Sequence, residues 1–249
     1  MKLSFLLCLS LAFIGCVNLK SYSCRTSDTP ASVTDADITT PPAGTQTYLT
    51  ETYVPAKYLS VETEGVRMHV FGSSTVSNWM MVQTHSMAKN IVASIASADQ
   101  RAKFEGHQFL VITDSDPEIP GARPGQRNTG DVGITVINEV LVCATAVDTI
   151  RPDNAAEYRA WDTPIHEFGH SVERTLGLKP ITMSLEEQVN PNYDTSVSDE
   201  YFAWATQKWF DADLRGRCGF AAIDSFENSY LYSVYETSQI WKPTCAGRP

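Results

Sequence analysis

Residues 163–177 read TPIHEFGHSVERTLG, and the HEFGH inside them sets His166 and His170 four apart with Glu167 directly after the first. In an α-helix such positions project from one face about 6 Å apart along the axis, so each imidazole can direct one nitrogen at a single zinc ion. Glu167 then lies beside the metal, where its carboxylate can take a proton from a metal-activated water and later pass it to a leaving amine. The flanks argue for a helix. Thr163 can cap it, Pro164 suits the first helical position, and Gly177, followed by Lys179-Pro180, stops it. His166 falls in the first turn, where the positive end of the helix dipole disfavours imidazolium and so favours the neutral ring a metal needs.

A catalytic zinc takes three protein ligands and keeps one position open. The metzincin pattern would put Gly at 173 and His at 176; the chain has Glu173 and Leu176, which excludes that class. His69, His85 and His107 stand isolated upstream and read as surface or core residues. A downstream carboxylate is therefore favoured. Glu200 comes 30 residues after His170 in the first turn of a second helix, SDEYFAWATQKWFDADL, which Ser198 or Asp199 caps and along which Phe202, Ala205, Trp209 and Phe210 form an apolar stripe. Glu186, Glu187, Asp194 and Asp199 are its rivals. Glu173 shares the histidine face a turn beyond the metal, where it either orients a ligand histidine or is a solvated carboxylate.

The 249 residues suit one catalytic domain of about 200 residues behind a processed N-terminus. The opening MKLSFLLCLSLAFIGCVNLKSYSC has a lysine and then an apolar run, Leu3 to Val17, too short to span a bilayer; it reads as a secretory signal over 1–23, with a lipoprotein cut before Cys16 as the competing reading. Cleavage after Ser23 removes Lys2 and Lys20 and no acid, so the net charge moves from −10 to −12. Such an acidic chain is not suited to nucleic acid or anionic membrane. Of its six cysteines, Cys24, Cys143, Cys218 and Cys245 survive the cut and suggest disulfides of unassigned pairing, Cys218 with Cys245 being the first choice.

Residues 24–47 are rich in Thr, Ser, Asp and Pro and read as a mobile linker or a short pro-segment, with the ordered domain over 48–249. Within it VRMHVFG (66–72) alternates as a strand, and 86–106 shows helical spacing with Ser86 as cap and Gly106 as stop. FLVIT (109–113) and one or two strands in 132–147 follow across a turn-rich stretch. The order strand, helix, strands, helix, helix predicts an α+β domain with a small mixed sheet and a backing helix.

HEFGHSVE followed by NYDTSVSDEYFAWATQKWF resembles the Glu-zincin metallopeptidases, in the form found in the catalytic domain of anthrax lethal factor and its secreted relatives. Their pattern is HEFGH with an acid three residues later, then a Tyr seven residues before a Glu that opens an E-x-F-A helix. Tyr193 and Glu200 have that separation, and Glu200-Tyr201-Phe202-Ala203 matches the opening. The resemblance implies a zincin-like domain in which His166, His170 and Glu200 bind one Zn²⁺ per chain, Glu167 is the general base and the Tyr193 hydroxyl donates to the oxyanion. Tyr232 and Tyr235 are the alternative hydroxyls, although their segment also reads as core. The connection from His170 to Glu200 is shorter than in lethal factor and the toxin's other domains have no counterpart here, so its substrate and cell entry do not carry over. The expectation is a secreted, monomeric zinc metalloendopeptidase with no membrane span, its peptide or protein substrate extended along an edge strand within VGITVINEV (132–140). Two other classes stay open: a secreted zincin-fold binding or effector module, and a zinc hydrolase of a non-peptide amide.

Overall fold

Alternating side chains in KYLSVET and VRMHVFG build a hairpin in which β1 (Lys57–Thr63) pairs antiparallel with β2 (Val66–Gly72). The computed structural model describes residues 33–45, 53–116, 129–139, 162–178, 198–210, 231 and 233–236, without the side chains at 162, 163, 198–201, 204 and 208. Glu64 and Gly65 both take positive φ (48° and 78°), the two-residue turn whose twist matches that of paired strands. From β2 the chain crosses through α1 (Asn78–Ala93) and the short α2 (Ala98–Ala102) to β3 (Gln108–Ile112), parallel to β2. A second hairpin, β4 (Thr129–Asp131) and β5 (Ile134–Asn138), inserts β5 parallel to β3 and leaves β4 outermost and antiparallel, giving the order β1-β2-β3-β5-β4. The helices α3 (Asp162–Leu176) and α4 (Ser198–Trp209) follow. The result is a mixed α+β fold with a small mixed sheet.

One face of the sheet carries the helices. Leu59, Val61, Met68, Val70, Phe109, Val111 and Ile137 meet Met80, Met87, Ile91 and Val92 of α1, Ile165, Phe168 and Val172 of α3, and Phe202, Ala205 and Trp209 of α4 in one core. The opposite face holds a smaller cluster of Tyr53, Phe71, Leu110, Ile112 and Val136. No helix among the described residues is long and apolar enough to cross a membrane.

Three expectations change. The helix predicted from Ser86 begins at Asn78, with Ser77 Oγ accepting from the Met80 amide at 3.1 Å, and it breaks after Ala93 before Ser97 caps α2. Ser86 lies buried in mid-helix, as do Thr84 and His85, so tertiary burial overrides the local signal for a cap. The VGITVINEV stretch supplies β5, an interior strand bonded on both sides, while the outermost of the described strands on that side is β4, just upstream. Finally, part of the segment read as a mobile linker is docked: Thr39 and Tyr58 exchange backbone bonds of 3.0 and 2.8 Å, and Val33 and Ile38 pack on the core, so residues 33–45 cover the β1 edge. The signal region, Cys24, Cys143, Cys218 and Cys245 lie outside the described residues.

Two of the upstream histidines matter to stability. His107 is fully enclosed against Phe104, Phe109 and Phe168, and burial holds its pKa down at about 3; His85, buried in α1, is held at about 4 by burial and then by Lys89. Because the unfolded rings protonate near 6.5, the unfolded chain binds more protons below that pH. Their stabilisation is therefore complete above pH 6.5 and is lost as the pH falls toward 4 and then 3. For His107→Gln, urea unfolding between pH 6 and 4 should show a slope shallower than wild type by about 1.4 kcal/mol per pH unit, one proton's worth. An unchanged slope would mean that His107 does not stay neutral in the folded state.

Candidate metal centre

The helix α3 begins at Asp162, so Thr163 and Pro164 are its second and third residues rather than its cap and first residue, and His166 is its fifth, just past the first turn. Ile165, Phe168, Val172 and Leu176 recur at helical spacing and enter the core, where Phe168 meets Phe109 edge-on at 4.9 Å between centroids. At the C-terminus Gly177 takes φ +64°, its amide donates to the Arg174 carbonyl at 3.1 Å, and the Leu178 amide reaches the Glu173 carbonyl at 3.0 Å. These two bonds form a Schellman stop, as expected from Gly177.

His166 and His170 bring their rings together at right angles, with centroids 4.7 Å apart and Nε2 atoms 3.1 Å apart. Two zinc–nitrogen bonds of about 2.0–2.1 Å at a tetrahedral angle span about 3.3–3.4 Å, so the pair fits two ligands of one ion with little adjustment. Without metal, the same approach fits an N–H···N hydrogen bond. His170 and Glu167 are buried, at 6% and 9% exposure, while His166 is half-buried. Among the described residues no group of three or more His, Cys, Asp or Glu side chains completes a metal site. Glu200 lies in the first turn of α4, as does its rival Asp199, and both side chains fall outside the described residues, as do Tyr193, Asp194, Glu186 and Glu187.

Two glycines set how closely this helix is approached. At Gly130 in β4 an added Cβ would sit 1.7 Å from the Glu167 carbonyl oxygen and 3.0 Å from His170 Cβ, so the edge strand lies backbone against backbone on the turn that carries the histidines. The Arg174 guanidinium donates to the Gly130 carbonyl and ties the two elements together. At Gly169, within HEFGH, an added Cβ would meet Ala203 Cα at 2.8 Å and Thr206 Cβ at 3.2 Å, so α4 also packs against α3 without an intervening side chain. That approach brings Gln207 to His166, with Oε1 3.2 Å from Nδ1.

A buried polar chain anchors α3 to the sheet. His107 Nε2 is 2.9 Å from Thr135 Oγ1, which is 2.7 Å from Ser171 Oγ, and Ser171 in turn donates to the Ile134 carbonyl at 3.0 Å. With a proton on Nε2 of the neutral His107, every hydroxyl in the chain can donate onward and end on a carbonyl. His107 is thus a core residue tied to the sheet and α3 through Nε2, while its buried Nδ1 has no hydrogen-bond partner among the described residues. His69 bonds Tyr58 on the hairpin, Nδ1 to hydroxyl at 3.0 Å, and burial lowers its pKa.

Glu173 is buried, at 5% exposure, which removes the reading of it as a solvated carboxylate. Tyr235 is also removed as a candidate oxyanion donor: it is fully buried against Phe202, Trp209 and Phe210, and its hydroxyl lies 3.2 Å from Thr206 Oγ1. Burial raises its pKa further above that of an ordinary phenol. Its segment completes the core, and Tyr232 lies outside the described residues.

The sequence reading missed Gln207, Gly130 and Arg174. Gln207 alone left a trace, since it stands seven residues after Glu200 on the helical repeat of the same face. Compared with protein-family models, curated proteins and solved structures, the chain matches none.

Proposed function

We propose that this chain is a secreted zinc metallopeptidase of the Glu-zincin type, and the observation that carries the reading is the convergence of His166 and His170 Nε2 to 3.1 Å beside Glu167, under the edge strand β4. In this reading His166, His170 and Glu200 hold one zinc ion. Bound there, zinc supplies Lewis acidity, acidifying water to a pKa of about 7 and polarising a carbonyl. Glu167 takes the proton from the attacking water and delivers it to the leaving amine. The Tyr193 hydroxyl donates to the oxygen on which negative charge develops.

The edge strand adds a place for substrate. β4 has one neighbour among the described strands, so an extended peptide can add main-chain bonds along its open side, close to Glu167. Arg174 already engages the Gly130 carbonyl, and a peptide using that acceptor has to share or displace it.

Metal content and hydrolysis of mixed peptides by the purified protein test the proposal. Wild type should carry one zinc per chain and cleave peptides, and chelation should abolish cleavage. Zinc should persist in Asp199→Ala and be lost in Glu200→Ala. Zinc retained in both variants would place the third ligand elsewhere, and peptides left intact by a zinc-loaded wild type would favour the binding module over the peptidase.

A further inference from the structure

We infer that Gln207 is the positioning residue that presets His166 for metal, an assignment that rests on the zinc reading of the α3 histidines. The two ring nitrogens of a neutral histidine have opposite roles: one carries the proton and the other the lone pair a metal requires. Gln207 Oε1 is 3.2 Å from His166 Nδ1, and an amide oxygen can only accept. The proton is therefore held on Nδ1, and the lone pair is left on Nε2, the atom that meets His170 Nε2 at 3.1 Å. In the zinc-free protein that lone pair accepts from His170; with zinc it becomes the ligand.

The contact is a product of helix packing. Gly169 admits Ala203 and Thr206 against α3, and this depth of approach puts the next residue of α4, Gln207, behind the His166 ring. A larger residue at 169 would push α4 outward and withdraw the acceptor. The identity of the acceptor also has a consequence. A carboxylate behind a ligand histidine adds negative charge and raises the basicity of the ring, whereas a glutamine fixes tautomer and orientation and leaves the site's charge unchanged. It does not titrate, so the acceptor itself stays the same as the pH changes.

Nitrogen-15 NMR of the zinc-free, full-length protein reports the tautomer directly, and titration with zinc alone reports affinity. The expected results are an Nδ1–H tautomer at His166 in wild type, a shift toward Nε2–H in Gln207→Leu with about 10–100-fold weaker zinc binding, and restoration of both readings in Gln207→Glu, which keeps an acceptor. An Nε2–H tautomer in wild type, or zinc binding by a folded Gln207→Leu as tight as wild type, would overturn the inference. If wild type shows Nδ1–H but takes up no zinc, the hydrogen-bond assignment stands and the metal reading fails, so the two failures are distinguishable.

Discussion

Glu167→Gln is expected to lower kcat/KM on a peptide substrate by about 10²–10⁴-fold while zinc content stays at the wild-type level. Glutamine keeps the size of the side chain at a position only 9% exposed, so packing and the backbone contact with Gly130 are preserved. What it removes is the basic oxygen. With no carboxylate to take the proton from water, and none to return it to the leaving amine, both halves of the proposed reaction lose their general acid–base assistance. Two parallel measurements decide the matter, metal analysis and steady-state hydrolysis. Loss of zinc along with activity would make Glu167 a contributor to binding, and full activity with zinc retained would exclude it as the base.

Gly130→Ala should destabilise the fold by about 3 kcal/mol or more, because the new methyl would lie 1.7 Å from the Glu167 carbonyl oxygen, a backbone atom that no rotamer change can move. Gly130 is absent from the positive-φ glycines, so the cost comes from space and not from backbone conformation. Gly177→Ala is the natural control. Gly177 has open space around its Cα and φ +64°, and its substitution costs only the left-handed backbone term of about 1–2 kcal/mol. Urea denaturation of the two variants separates the effects, and hydrogen exchange at the β4 amides should report the displaced strand. Equal destabilisation of both would mean that β4 does not rest on α3 in solution.

These predictions depend on features of unequal visibility in the sequence. The apolar stripe of α3 and its glycine stop were legible because both are local, whereas its start was misplaced by a residue or two: the helix begins at Asp162, ahead of the expected Thr163 cap. The α4 stripe of Phe202, Ala205, Trp209 and Phe210 was equally readable, and all four residues are buried. Strand β2 followed from alternation in VRMHVFG. By contrast β4 is three residues long, too short for a period, and exists because β5 pairs with it and α3 supports it. The docking of residues 33–45 was hidden for another reason: it relies on one backbone bridge, the Asn78–Asp35 hydrogen bond and two apolar side chains, Val33 and Ile38, within a polar segment. The start of α1 was obscured by Thr84, His85 and Ser86, polar residues that the core encloses.

The candidate site divides along the same line. That His166, Glu167 and His170 lie within one turn of a helix, and that the helix stops at Gly177, follows from the 3.6-residue repeat and the capping chemistry of neighbouring residues. The position of Gln207 behind His166, and of β4 against Glu167, required the folded chain. Both contacts join residues distant in sequence, and each is admitted by a glycine whose missing side chain leaves no periodic mark.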